Sequence, residues 1–97
     1  MPIKYRLRQA ARDDLKDIAR YTLKHHGKVQ RDKYLKGFKE RFELLGENPN
    51  FGRSRDDVKI GYHCNDYNKH VVFYVIQNDY VEILAILHER MIPERHL

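Results

Sequence analysis

The stretch HVVFYVIQ, residues 70–77, is apolar on both faces of an extended chain. A strand of that kind belongs in the middle of a sheet, because a strand with one solvated face alternates apolar and polar side chains. YVEILAILH follows it across QND. Asn78 and Asp79 tolerate the positive φ that a tight hairpin turn demands, so the two runs are predicted to pair as a hairpin.

The rest of the chain supplies what such a centre needs. In IKYRLR, Ile3, Tyr5 and Leu7 alternate with Lys4, Arg6 and Arg8, the period-two pattern of a half-buried strand with cations on its other face. From Ala11 the period changes. Ala11, Leu15, Ile18, Thr22 and His26 stack on one helical face, Ala19 and Leu23 widen the stripe, and Gly27 ends it. A second helix starts near Lys28 with Tyr34, Phe38, Phe42 and Leu45 as its apolar stripe and Leu35 at one edge. Pro49 stops it, by disfavouring helical geometry at Asn48 and removing a donor. So short a connection makes the helices an antiparallel hairpin. After the loop RSRDD, Val58, Ile60 and Tyr62 alternate as a further strand. The expected order is β-α-α-β-β-β, an α+β fold of two layers with the helix hairpin packed on a small antiparallel sheet. No linker or repeat interrupts residues 1–97, so one domain is expected.

Composition narrows the function classes. The lone Cys64 excludes an internal disulfide and suits a reducing cytoplasm. The run VVFYVI is too short to span a bilayer, and no basic-then-apolar leader opens the chain. A cytoplasmic protein with no membrane partner is expected. Nineteen Lys and Arg against 14 Asp and Glu leave +5, which favours an anionic partner.

Catalytic signatures are sparse. Ser54, the only serine, lies between Arg53 and Arg55 without a glycine elbow. Cys64 and His63, adjacent on a strand, point to opposite faces. His25 and His26 diverge by about 100° around a helix, and no cluster has metal-ligand spacing. Neither a metal nor a cofactor is expected. His88 draws notice because the last apolar run stops there; by strict alternation it shares a face with Glu82, Leu84 and Ile86, opposite Val81, Ile83, Ala85 and Leu87. A strand-end histidine that closes the sheet is the simpler reading than a general acid.

Laid out in order, AARDDLKDIARYT, then GKVQRDKYLKGFKERFELLGENPNFGRSRDDVKIGY, then HVVFY, ILHERM and the closing RHL make the chain resemble the ParE toxins of the RelE/ParE superfamily. These are the toxin halves of type II toxin–antitoxin modules. The resemblance implies a helix hairpin on a small antiparallel sheet. It also implies a non-enzymatic growth-arresting toxin that inhibits DNA gyrase by stalling its cleavage complex. A cognate antitoxin would wrap it in a hetero-oligomer and contact operator DNA on its behalf. The same superfamily contains ribosome-dependent mRNA endoribonucleases, for which His88, Arg53, Arg55 and Arg90 would be the catalytic set, with Glu89 nearby. Ile92 stands where family members often carry an acidic residue. That departure is what a degenerate, non-toxic antitoxin-binding module would show.

Contact residues follow more coarsely. Tyr21 and Leu44 lie off the two helix stripes and are candidates for antitoxin anchors, joined by the cations Arg6, Arg8 and Arg55. His88, Arg90, Met91 and Arg95 are the candidates for the target contact.

Overall fold

The computed structural model describes residues 4–97. Their order is β1 (Tyr5–Leu7), α1 (Gln9–His26), α2 (Lys28–Glu47), β2 (Arg53–Ser54), β3 (Tyr62–Tyr67), β4 (His70–Ile76) and β5 (Val81–His88). Short 3-10 turns occupy Pro49–Phe51 and Pro93–Arg95. The strands form one sheet in the order β1-β5-β4-β3-β2, with the apolar β4–β5 hairpin at its centre.

Two helices on a mostly antiparallel sheet is the architecture that the sequence periods imply, but the sheet has five strands and one parallel pair. Tyr5 lies opposite Val81 and Leu7 opposite Ile83, with β1 running alongside β5. Period two is the same in either direction, so alternation alone cannot assign a partner. Ile3 lies outside the described residues. Arg53 and Ser54, expected in a loop, pair with Cys64 and His63 as a two-residue edge. Conversely, Val58 and Ile60 belong to a turn, closed where Gly61 N–H donates to Asp56 Oδ1 at 2.9 Å, and β3 begins only at Tyr62. Ile60 is 87% exposed. The positive φ expected at Asn78–Asp79 occurs instead at Asn68 (φ 53°), in the two-residue turn between β3 and β4.

The helix stripes bury as their spacing requires. Ala11 and Thr22 of α1 and Phe38, Phe42 and Leu45 of α2 are buried; Val72, Tyr74, Val81, Ile83 and Ile86 meet them from the sheet. The α1 stripe ends at Thr22, because Leu23 and His26 project past the sheet and are exposed. Gly27, with φ of 88°, makes the whole joint between the helices, a conformation that L side chains rarely adopt. At the other end, α2 presses on the start of β1 so closely that a Cβ on Gly46 would lie 2.9 Å from the Lys4 carbonyl oxygen.

A β-bulge resets the face of the last strand. Phe73 lies opposite Ala85 while Tyr74 lies opposite Ile83, leaving Leu84 as the extra residue. Beyond it the phase shifts, so Ile86 joins Val81 and Ile83 on the helix side. His88, the register partner of His70, crosses over with Ile86, contrary to strict alternation. Leu84, Ala85 and Leu87 join Cys64 and Phe73 in a second buried cluster, flanked by Val58, Tyr62, Val71 and Val75.

Both edge strands are short, and a helix side chain reaches each overhang. Asp14 of α1 accepts from the Ile86 N–H of β5 at 2.9 Å. Arg41 of α2 donates to the Asp66 carbonyl of β3 at 2.9 Å and to Asn65 Oδ1 at 2.6 Å.

Candidate functional site

Two concave features stand out. The first is an apolar groove of about 350 Å³ between the helices, lined by Leu15, Lys16 and Ala19 of α1 and by Leu35, Phe38, Lys39 and Phe42 of α2, with Tyr5 and Leu7 of β1 below. Lys16 and Lys39 are exposed, one from each helix. The helix stripes are broader than the sheet covers, and Ala19 and Leu35 are what remain uncovered at their margins.

The second is a depression of about 190 Å³ bordered by Arg53, Arg55, Val71, Phe73, Leu87, His88, Glu89, Met91 and Pro93. The short β2 sets Arg53 and Arg55 beside the end of β5 here, while His88 borders the depression with its ring turned toward His70. The arginines are already paired. Arg55 makes a two-pronged bond to Asp57, 3.0 Å on each arm, and its guanidinium lies 5.6 Å from the centre of the Phe73 ring. That bond raises the Arg55 pKa and lowers that of Asp57, so each group holds the other charged. Arg53 reaches Asp66 at 3.3 Å. His88 meets His70 edge-on at 5.5 Å, and its Nδ1 accepts from Arg90 N–H at 3.2 Å. Burial pushes the Cys64 thiol up, the direction of an unreactive thiol.

The other candidates scatter. Arg6 lies over the Tyr80 ring at 4.7 Å, and Arg8 bonds Glu82 at 3.0 Å along the β1 edge. Tyr21, 62% exposed, packs against His25 with the two rings tilted by 36° near the hairpin tip. Leu44 is half-buried. Arg90, Met91 and Arg95 are exposed on the tail. Among the described residues, no group of three His, Cys, Asp or Glu side chains is placed to hold a metal ion. No described helix is long and apolar enough to cross a membrane.

A family model described as the ParE toxin of the type II toxin–antitoxin system parDE matches residues 5–93. The chain belongs to this ParE toxin family. Toxin ParE1 of Caulobacter vibrioides is 33% identical over 93 residues, covering 96% of each chain. Toxin ParE1 of Mycobacterium tuberculosis is 29% identical over 98 residues, covering 100% of each. In fold, the ParE chain resembles a structure titled as the chromosomal ParDE toxin–antitoxin system from P. aeruginosa. The TM-score is 0.76 at 17% identity, over 89% of this chain and 95% of that one. It also resembles a YoeB–YefM complex from Staphylococcus aureus, with TM-score 0.61 at 14% identity over 91% and 98%.

Two features of this ParE toxin escape the sequence reading. The inter-helix groove was legible only as surplus stripe width at Ala19 and Leu35. His70, whose Nδ1 shares a hydrogen bond with Tyr34 Oη at 2.8 Å, gives no signal beyond opening an apolar run.

Proposed function

We propose that this toxin arrests growth by engaging DNA gyrase and stalling its cleavage complex, without catalysing a reaction of its own. A cognate antitoxin wraps and neutralises it in the cytoplasm, and operator DNA is contacted through that antitoxin. The observation that carries the non-enzymatic reading is the pairing of two of the candidate catalytic cations, Arg53 and Arg55, with carboxylates. A nuclease needs an imidazole in reach of the substrate proton and a cation ready for the developing phosphate charge. Here Arg53 is held by Asp66, Arg55 by Asp57, and Nδ1 of His88 by a backbone N–H. The target contact is then a surface, and the exposed Arg90, Met91 and Arg95 are its members.

The antitoxin reading is supported by the inter-helix groove. An apolar floor with Lys16 and Lys39 on opposite lips suits an amphipathic helix with acidic flanks. Arg6 and Arg8 add positive charge along the β1 edge. Tyr21 is an outlying anchor, and the half-buried Leu44 offers less surface.

Purified toxin is expected to block gyrase supercoiling and to raise the yield of cleaved DNA, with no ribosome-dependent mRNA cutting. Normal supercoiling at excess toxin would refute the reading. One observation favours a second reading, a ribosome-dependent endoribonuclease: Arg53, Arg55 and His88 do share one depression. Under it, His88→Ala and Arg53→Ala lose transcript cleavage while staying folded. Toxicity surviving both changes, with transcripts intact, removes it. Harmless overexpression without antitoxin would instead identify a degenerate binding module.

A further inference from the structure

A line of side chains runs from the helix layer to the tail. Tyr34, on α2, shares a hydrogen bond of 2.8 Å with Nδ1 of His70, the first residue of β4. His70 faces its cross-strand partner His88 at 5.5 Å, ring edge to ring face (83°). His88 in turn holds the first turn of the tail, because its Nδ1 accepts from Arg90 N–H at 3.2 Å. Two further bonds close that turn, Glu89 N–H to the Lys69 carbonyl at 2.8 Å and Met91 N–H to the His88 carbonyl at 2.9 Å. Of the three, only the bond to the imidazole depends on a protonation state.

We infer that His88 is the positioning residue of the C-terminal turn, held in place through His70 and Tyr34, and that the turn loosens when the His88 ring takes a proton. The chemistry is simple. A neutral imidazole offers one ring nitrogen as acceptor; a protonated one has donors at both. Protonated His88 therefore turns an N–H toward the Arg90 N–H, and two donors cannot bond. His70 behaves differently, since its tyrosine partner can donate or accept; the Tyr34 bond reverses and survives protonation. The titratable and charged groups around the pair are Tyr34 from α2, Tyr67 from the end of β3, Arg53 and Arg55 across the depression, and Glu89 beyond β5. Phe38 packs on His70 and contributes no charge. Burial and the neighbouring His88 both hold the His70 pKa below its ordinary value, against a smaller opposing pull from Glu89. A charged His88 thus opposes protonation of His70. This inference rests on the proposed function only in what the tail is for, because Arg90 and Met91 belong to the proposed target contact.

The test needs neither gyrase nor antitoxin, so its failure is separable from failure of that reading. Amide exchange protection at Arg90 and the ring resonances of His70 and His88 are followed by NMR on the full chain from about pH 8 to pH 5, the range in which histidine titrates. Arg90 protection is expected to fall roughly three- to tenfold, the range one ordinary hydrogen bond carries, with the midpoint of the His88 ring. His88→Asn, which keeps an acceptor at the δ position and does not titrate, should hold protection constant with pH and move the His70 midpoint upward. His88→Ala should lack the extra protection at every pH. Wild-type protection that ignores pH, or an Arg90 amide unchanged in His88→Ala, overturns the inference. A His70 midpoint unmoved in His88→Asn overturns the coupling between the rings.

Discussion

Asp14 shows how one residue can serve the fold against its own charge. Its carboxylate accepts from the Ile86 N–H, yet burial, with Asp17 and Asp13 nearby, raises its pKa above the ordinary carboxyl value. The folded state therefore binds the Asp14 proton more tightly than the unfolded chain does. Stability from this group rises as pH falls through the raised pKa, opposite to a paired carboxylate. Asp14→Asn keeps an acceptor without the charge and should match or exceed wild-type stability at neutral pH. Asp14→Ala, which strips the Ile86 N–H of this partner, should cost about 1–3 kcal/mol. Urea midpoints at two pH values separate the three proteins. His70 has the other sign. Its lowered pKa means that the unfolded chain binds more protons, so its contribution is whole above the unfolded histidine value and is lost as pH falls toward the folded one. His70→Gln should flatten the fall of the melting temperature below about pH 6.5.

At the scale of elements, contact distances decide more than propensity. Gly46→Ala improves helix propensity by about 1 kcal/mol, but the new Cβ meets the Lys4 carbonyl, so α2 and β1 must part. A net loss of about 1–2 kcal/mol is expected, seen as a lower denaturation midpoint. Tyr74 fastens the 3-10 turn after α2, donating to the Pro49 carbonyl at 2.6 Å and accepting from Gly52 N–H at 3.1 Å. Tyr74→Phe should cost about 1–3 kcal/mol and raise exchange at Gly52 first. The same elements show what sequence could reveal. The stripes of α1 and α2 and the apolar β4–β5 pair were readable because burial imposes a period. Arg53–Ser54 was not, since a two-residue strand has no period to read. Val58 misled because it is a loop residue packed beside a buried cluster, which mimics alternation. His88 landed on the other face because the bulge at Leu84 inserts one residue that no pattern announces. Of the candidate residues, Arg53, Arg55 and His88 border one depression, but no pattern in the sequence announces the carboxylates of Asp66 and Asp57 folding onto the arginines.

For the molecule as a whole, excess positive charge sets how it meets partners. With +5 overall and Lys16 and Lys39 flanking the groove, the association rate with an acidic antitoxin should drop severalfold between about 50 and 500 mM salt. Dissociation should change less, because screening acts on the approach. Stopped-flow mixing at several ionic strengths measures both. The side chains that cap the sheet bear on a different encounter, that of two identical copies. Unpaired main chain at a sheet margin templates fibre growth. Here a newcomer aligning beside β5 or β3 must first evict a carboxylate or a guanidinium from its seat. A second copy of the chain therefore finds these two stretches of main chain already occupied.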